Sequence, residues 1–223
     1  SRFRNDSLIA AIGKAEHGGS FDFPDWFAPL FDLYDALFSA TSGAIDPCVG
    51  EDLIRLGYDA SLSFTVTQDA PEHLGALRGR AVWGRDVTRH GTTLVTHEPV
   101  QLDFGACGKG YLVDLLGRML QSSQFVIDAG GDLLIHAEQP ISVALEDPED
   151  QSHAIGIAHI ANGALCASAP SRRHWNVAVN ERTQIAIHHL LNAIDGLPAQ
   201  QTEASWAYVP ANATLNLARD YPT

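Results

Sequence analysis

The chain has little cysteine, little positive charge and no long apolar run, and each shortage closes off a class of function. Its three cysteines, Cys48, Cys107 and Cys166, lie far apart with no Cys-x-x-Cys pair. Neither a disulfide framework nor a cysteine-based zinc site is expected, and the three read as buried or incidental thiols. Lysine and arginine number 14 against 27 aspartates and glutamates, a formal charge of −13. That balance argues against nucleic acid or an anionic membrane surface as the main partner. An anionic small ligand stays open, provided that local lysines, backbone N–H groups or a metal ion offset the field around it. No apolar run approaches the roughly 18 residues of a membrane helix, and no charged start followed by an apolar core marks a secretory leader. The chain reads as soluble. It begins at Ser1 rather than methionine, so its compartment is open: cytoplasmic, or exported by a leader outside this sequence.

What is present suits a substantial core. With 223 residues, 45% of them hydrophobic, one domain with two lobes is expected. Phe27, Leu30, Phe31, Tyr34, Leu37 and Phe38 recur at helical spacing after Pro24-Asp25 and stop near Ser42-Gly43, which predicts a core helix. Short strands are expected at Leu62–Val66, Arg80–Trp83 and Thr92–Thr96. From Tyr111 a second helix is expected, with Leu112, Leu115, Leu116, Met119 and Leu120 on its apolar face. Further strands follow at Phe125–Ile127, Ile141–Leu145, Ile155–Ile160, Trp175–Val179, Gln184–Leu191 and Ala204–Val209. Runs of strands with few helices between them indicate an α+β fold.

Three segments stand out chemically. In LDFGACGKGYLVDLL, residues 102–116, three glycines surround one lysine. A P-loop would need four residues between its first glycine and Gly-Lys, then a serine or threonine; here the spacing is shorter and Gly110 follows Lys109. A dinucleotide fingerprint is excluded by spacing and by the lack of a βαβ unit. What remains open is either a strand-turn-helix connection with a solvated lysine, or a glycine turn whose N–H groups, with Lys109 and the Tyr111 helix start, face an anion. Ala129–Asp132 places two glycines directly after a strand, for a sharp turn or a close approach. His188–Ala199 sets paired histidines at a strand end before an Asp195-Gly196 turn; on a strand the two rings point to opposite faces.

Taken in order, the segments resemble the ApbE-type flavin transferases along nearly the whole chain. SRFRNDSL at the start is similar to the family's Ser-x-Tyr/Phe-x-x-x-Ser stretch. SGAIDPCVGEDLIRLGYD resembles its Gly-x-Phe-Asp-Pro-Thr-Val segment and the Trp-Gly-Phe that follows. LDFGACGKGYLVD resembles Asp-Leu-Gly-Gly-Ile-Ala-Lys-Gly-Tyr-x-x-Asp, the most specific match, and IDAGGDLL, ALEDP, ALCASAPSRRHW and HHLLNAIDG resemble later blocks. The resemblance implies an ApbE-type α+β fold: a single strand-rich domain over 1–223, two-lobed, with an FAD cleft between the lobes. It implies transfer of FMN from FAD to a threonine of a target protein with release of AMP, and magnesium as the metal. The partners would be FAD and a protein carrying a Ser/Thr-Gly-Ala-Thr-like acceptor.

By the same resemblance Asp103 and Lys109 contact FAD, Phe3 and Tyr58 with Leu56 and Gly57 line the flavin or adenine site, and His189 is the base. Magnesium would be held by the Ala106 carbonyl with Asp220 and Thr223, while Asp114 and Asp132 would be structural. The sequence departs from the family pattern at Asn192, which replaces an aspartate, at Ile194-Asp195, which replace Arg-Thr, and at Ala169-Pro170 in place of Gly-Asp. The closing Asp-x-x-x-Thr motif is one residue short in Asp220-Tyr-Pro-Thr223, and the family's first strand and the chain beyond that motif are absent from this sequence. Two competing activities follow from those departures: hydrolysis of FAD to FMN and AMP, and non-catalytic FAD binding.

Overall fold

The computed structural model describes residues 2–120, 124–180 and 183–211. The chain divides into two compact units, one made of Ser1–Phe104 with Arg173–Ala199, the other of Gly105–Arg172 with Gln200–Thr223. Its elements in chain order are α1 (Leu8–Lys14), β1 (Gly19–Asp22), α2 (Ala28–Ala40), α3 (Gly50–Arg55), α4 (Ala70–His73), β2 (Val87–His90), β3 (Thr93–Thr96) and α5 (Gly105–Met119). Then come β4 (Phe125–Asp128), β5 (Asp132–Glu146), β6 (Ala154–Ser168), β7 (His174–Asn180), β8 (Thr183–His188), β9 (Leu191–Asn192), β10 (Leu197–Pro198) and β11 (Ser205–Pro210). Every strand pair within the sheets is antiparallel. The fold is α+β, as the strand runs predict. No described helix is long and apolar enough to cross a membrane.

In the first unit α2 follows its expected stripe: Leu30, Phe31, Tyr34 and Leu37 are buried, joined by Leu33. Thr41 ends the helix by donating its hydroxyl to Leu37 O at 2.7 Å, and Gly43, at φ +90°, donates its N–H to Phe38 O; a left-handed residue after the last turn is the usual C-terminal stop. The same unit holds a buried ion cluster. Arg80 Nε is 2.8 Å from Asp52 Oδ2, and its two terminal nitrogens are each 3.4 Å from Asp46 Oδ2. Arg80 also donates to Ala81 O and Ala193 O, which ties the 193–196 turn to the loop after α4.

Two expected strands of this unit are replaced for a physical reason. Residues 62–66 form an irregular loop in which Leu62 and Phe64 adopt positive φ, +54° and +50°, incompatible with extended pairing. Within Arg80–Trp83 two backbone donors go to side chains instead of a ladder, Val82 N–H to Asp86 at 2.7 Å and Trp83 N–H to Asp46 at 3.4 Å, while Arg80 N–H goes to the Gly75 carbonyl. Thr92–Thr96 does form as β3, in the sheet β1-β3-β2. Gln184–Leu191 stops as a strand at His188, and Leu191 belongs to the separate β9-β10 pair.

The second unit is the sheet β11-β6-β5-β4 with α5. The Ala129–Asp132 glycines make the β4-β5 turn, Gly130 and Gly131 at φ +74° and +107°, and Ala167 donates its N–H to Gly131 O at 2.8 Å. Helix α5 departs from expectation twice. The glycine segment is not a turn before the helix but its first turns, since the helix runs from Gly105. Its inward face is Cys107, Tyr111, Asp114 and Gly117, while Leu112, Leu116, Met119 and Leu120 are exposed. A Cβ on Gly117 would lie 2.4 Å from the Leu134 side chain: the missing side chain lets the helix approach the sheet closely at that point.

Candidate functional site

Tyr58 anchors the site in the first unit. Gly57 before it has φ +92°, and a Cβ there would lie 2.3 Å from Thr65 N, so only glycine fits. Phe64 donates its N–H to Gly57 O at 2.8 Å, closing the 59–64 loop back on Tyr58. Asp59 pins that loop by accepting from the Ser61 and Ser63 backbones at 2.8 and 3.1 Å. Hydrogen bonds from Ser63 and then Ser61 hold its carboxyl down at about 2.

Around Tyr58 gather residues from distant parts of the sequence. Phe3 meets it edge-on with centroids 5.4 Å apart, Trp175 stacks at 6.0 Å and the His189 ring lies at 6.4 Å. Arg2 donates to Tyr58 O at 2.5 Å and pairs with the Asp103 carboxylate. Arg173 donates to the Tyr58 hydroxyl, and its carbonyl lies 3.4 Å from His189 Nδ1. Leu56 is buried in the cluster beneath, with Leu53, Leu74 and Ile187, and its carbonyl accepts from Trp175 Nε1 at 2.9 Å. Of the residues expected to touch the dinucleotide or the acceptor, Phe3, Leu56, Gly57, Asp103 and His189 therefore lie in one unit with Tyr58, Asp103 joined to it through Arg2.

The two histidines occupy different places. His188 ends β8; its Nε2 donates to Ala199 O at 3.0 Å and its Nδ1 accepts the Leu190 N–H at 3.3 Å. Burial, chiefly, pushes its pKa below the ordinary imidazole value. His189 lies just past the strand rather than on it, and its ring sits beside Tyr58.

Ala106 and Lys109 belong to the second unit, in the first two turns of α5. Lys109 Nζ is 2.9 Å from Asp132 Oδ2, at the start of β5. Asp114 is buried on the inner face of α5, and burial raises its carboxyl pKa, with Arg118 opposing. Asp220 and Thr223 lie outside the described residues. Among those described, no group of three or more His, Cys, Asp or Glu is placed to hold a metal ion; of the three expected magnesium ligands only the Ala106 carbonyl is described.

Sequence reasoning missed Arg2, Arg173, Phe64 and Trp175. Arg2 and Arg173 stand 56 and 115 residues from Tyr58, and no spacing rule links positions so far apart. The one local signal was their place inside the matched stretches SRFRNDSL and SRRHW.

This antiparallel α+β fold is that of known flavin transferase structures. The chain is similar to the ApbE protein of Thermotoga maritima, with 19% identity, a TM-score of 0.72, and coverage of 94% of this chain and 69% of the other. Against the Pseudomonas stutzeri flavinyl transferase ApbE the values are 20%, 0.69, 94% and 65%, and against the Vibrio cholerae flavin transferase ApbE 18%, 0.71, 94% and 67%. The chain thus spans about two thirds of the length of these relatives. No curated protein matches its sequence. The ApbE family model matches residues 1–216, and the chain belongs to the ApbE family.

Proposed function

We propose that the protein is an FAD-dependent protein FMN transferase, attaching FMN to a threonine of a target protein and releasing AMP. The observation that carries this reading is the convergence of Phe3 and His189 on the Tyr58 ring, with Asp103 held to it through Arg2, from separate stretches of the sequence: an aromatic wall beside an imidazole. A planar ring system needs such a wall, and a hydroxyl nucleophile needs such a base.

The chemistry asked of these residues is a displacement at phosphorus. The threonine oxygen bonds to the flavin-side phosphorus of FAD, the bond from that phosphorus to the bridging oxygen breaks, and AMP leaves with the bonding pair. The hydroxyl proton goes to His189. With Nδ1 facing the Arg173 carbonyl, the neutral ring keeps its proton on Nδ1 and accepts the new one at Nε2. Tyr58, pinned by Arg173 and by the Gly57 turn, positions the dinucleotide, since catalysis of phosphoryl transfer is mainly positioning and charge stabilisation. Magnesium, when bound, would screen the phosphate oxygens; the Ala106 carbonyl, Asp220 and Thr223 are its proposed ligands. The described residues do not by themselves make its site.

Incubation with FAD, magnesium and a protein bearing a Ser/Thr-Gly-Ala-Thr-like acceptor tests the reading. Flavinylated protein with stoichiometric AMP is expected. AMP with free FMN would mean hydrolysis, and unchanged FAD would mean binding without chemistry.

A further inference from the structure

Arg2 is the one residue of the Tyr58 cluster whose hydrogen bonding is visibly incomplete. Its Nε is committed to Asp103 and its Nη1 to Tyr58 O. Its Nη2 is buried and has no hydrogen-bond partner among the described residues, in a side chain only 5% exposed. A buried guanidinium N–H without an acceptor is costly, and native proteins keep such a donor where a ligand or ordered water completes it.

The surroundings narrow the acceptor. The guanidinium carbon lies 4.2 Å from the Phe3 ring centroid and 4.9 Å from that of Tyr58. Contacts with ring faces leave the guanidinium edge for hydrogen bonding, which suits an acceptor arriving in its plane. The Asp103 carboxylate already matches the charge of Arg2, so an incoming phosphate would meet a neutralised cation with an anion beside it. A neutral acceptor on an aromatic ring meets no such repulsion and can share the Phe3 and Tyr58 walls. Phe3 is 40% exposed against 7% for Tyr58, which makes it the wall that can shift to admit a ring to the covered Nη2.

Resting on the reading of this cluster as the FAD site, we propose that Arg2 recognises a heteroaromatic ring of the dinucleotide, Nη2 donating to a ring oxygen or nitrogen of the isoalloxazine or the adenine. Arg2 would then select by ring chemistry, not by phosphate charge.

The test is titration of the full chain with FAD, with riboflavin and adenosine read by displacement of FAD, and with inorganic pyrophosphate, in the native protein and in Arg2→Lys, which keeps the charge and removes the fork. Expected are a loss of about tenfold or more in FAD affinity, a similar loss for riboflavin or for adenosine, and unchanged pyrophosphate binding; the nucleoside affected identifies the ring. The inference is overturned if only FAD and pyrophosphate weaken, if nothing weakens, or if neither nucleoside displaces FAD from the native protein. Absence of FAD binding by the native protein would overturn both this inference and the transferase reading. Should Arg2→Lys not fold, the Arg2 guanidinium NMR resonance in the native protein decides: it shifts on adding riboflavin or adenosine, or the inference fails.

Discussion

Lys109 Nζ lies 2.9 Å from Asp132 Oδ2, joining the second turn of α5 to the first residue of β5. Lys14 and Lys109 are the only lysines in the chain, and Lys109 is half exposed. With its ammonium half in solvent and its carboxylate only 11% exposed, the pair contributes about 1 kcal/mol to stability, so its value would lie in orienting the ammonium. Lys109→Ala is expected to weaken FAD binding while the urea unfolding free energy moves by less than about 1 kcal/mol. Unchanged fluorescence quenching by FAD would remove Lys109 from the binding site.

The histidine pair separates by role. His189→Ala should abolish FMN transfer and retain FAD binding. His188→Ala should keep transfer and lose about 1 kcal/mol of stability, because both of its ring nitrogens hold backbone groups. Comparing single-turnover rates with thermal midpoints decides this; equal loss of transfer in both variants would put the base elsewhere.

Gly57 shapes the turn that places Tyr58. Gly57→Ala meets both a φ of +92° and a 2.3 Å contact with backbone, so a loss of about 2 kcal/mol or more is expected together with weakened FAD binding. A variant with native stability and affinity would show that the 59–64 loop does not support Tyr58.

Asp52 carries a pH signature. Burial raises its carboxyl pKa from 3.8 to about 6, against the opposing pull of Arg80 and the Gly75 N–H. The folded state therefore holds a proton that the unfolded state releases, and stability should fall as pH rises from about 4 to about 6 and level off above that. Asp52→Asn should lose this slope. At pH 7 its stability should stay close to that of the native protein, because the amide avoids the cost of a buried charge while losing the 2.8 Å contact to Arg80, which keeps Asp46, Ala81 O and Ala193 O. Urea titrations across pH 4–8 measure both effects, and an unaltered slope in the variant would assign it to another group.

Magnesium dependence is the prediction furthest from the described residues. Turnover should stop in EDTA and return with magnesium, and Asp220→Ala should raise the magnesium concentration for half-maximal rate. Full activity in EDTA would rule the metal out, whereas a silent Asp220→Ala alone would transfer its role to another ligand.

Features carried by short spacings were legible in the residues alone. The apolar stripe of α2, the glycine turn at 129–132, the antiparallel strand runs and the order of family motifs are all carried by spacings of a few residues, where backbone geometry leaves few choices. Tertiary structure decided what spacing cannot encode. Leu112, Leu116 and Met119 form as regular a stripe as that of α2, yet α5 buries the face with Gly117, because close approach to Leu134 depends on a partner more than ten residues away. Leu62–Val66 has the composition of a strand but closes on Gly57 with positive φ, because its hydrogen bonds go to Gly57 and Asp59 and not to a neighbouring strand. Arg2 and Arg173 join the site for the same kind of reason: a guanidinium takes its place from whichever carbonyl, carboxylate or ring the folded chain brings within reach, and those partners, Tyr58 and Asp103, stand far from them in the sequence.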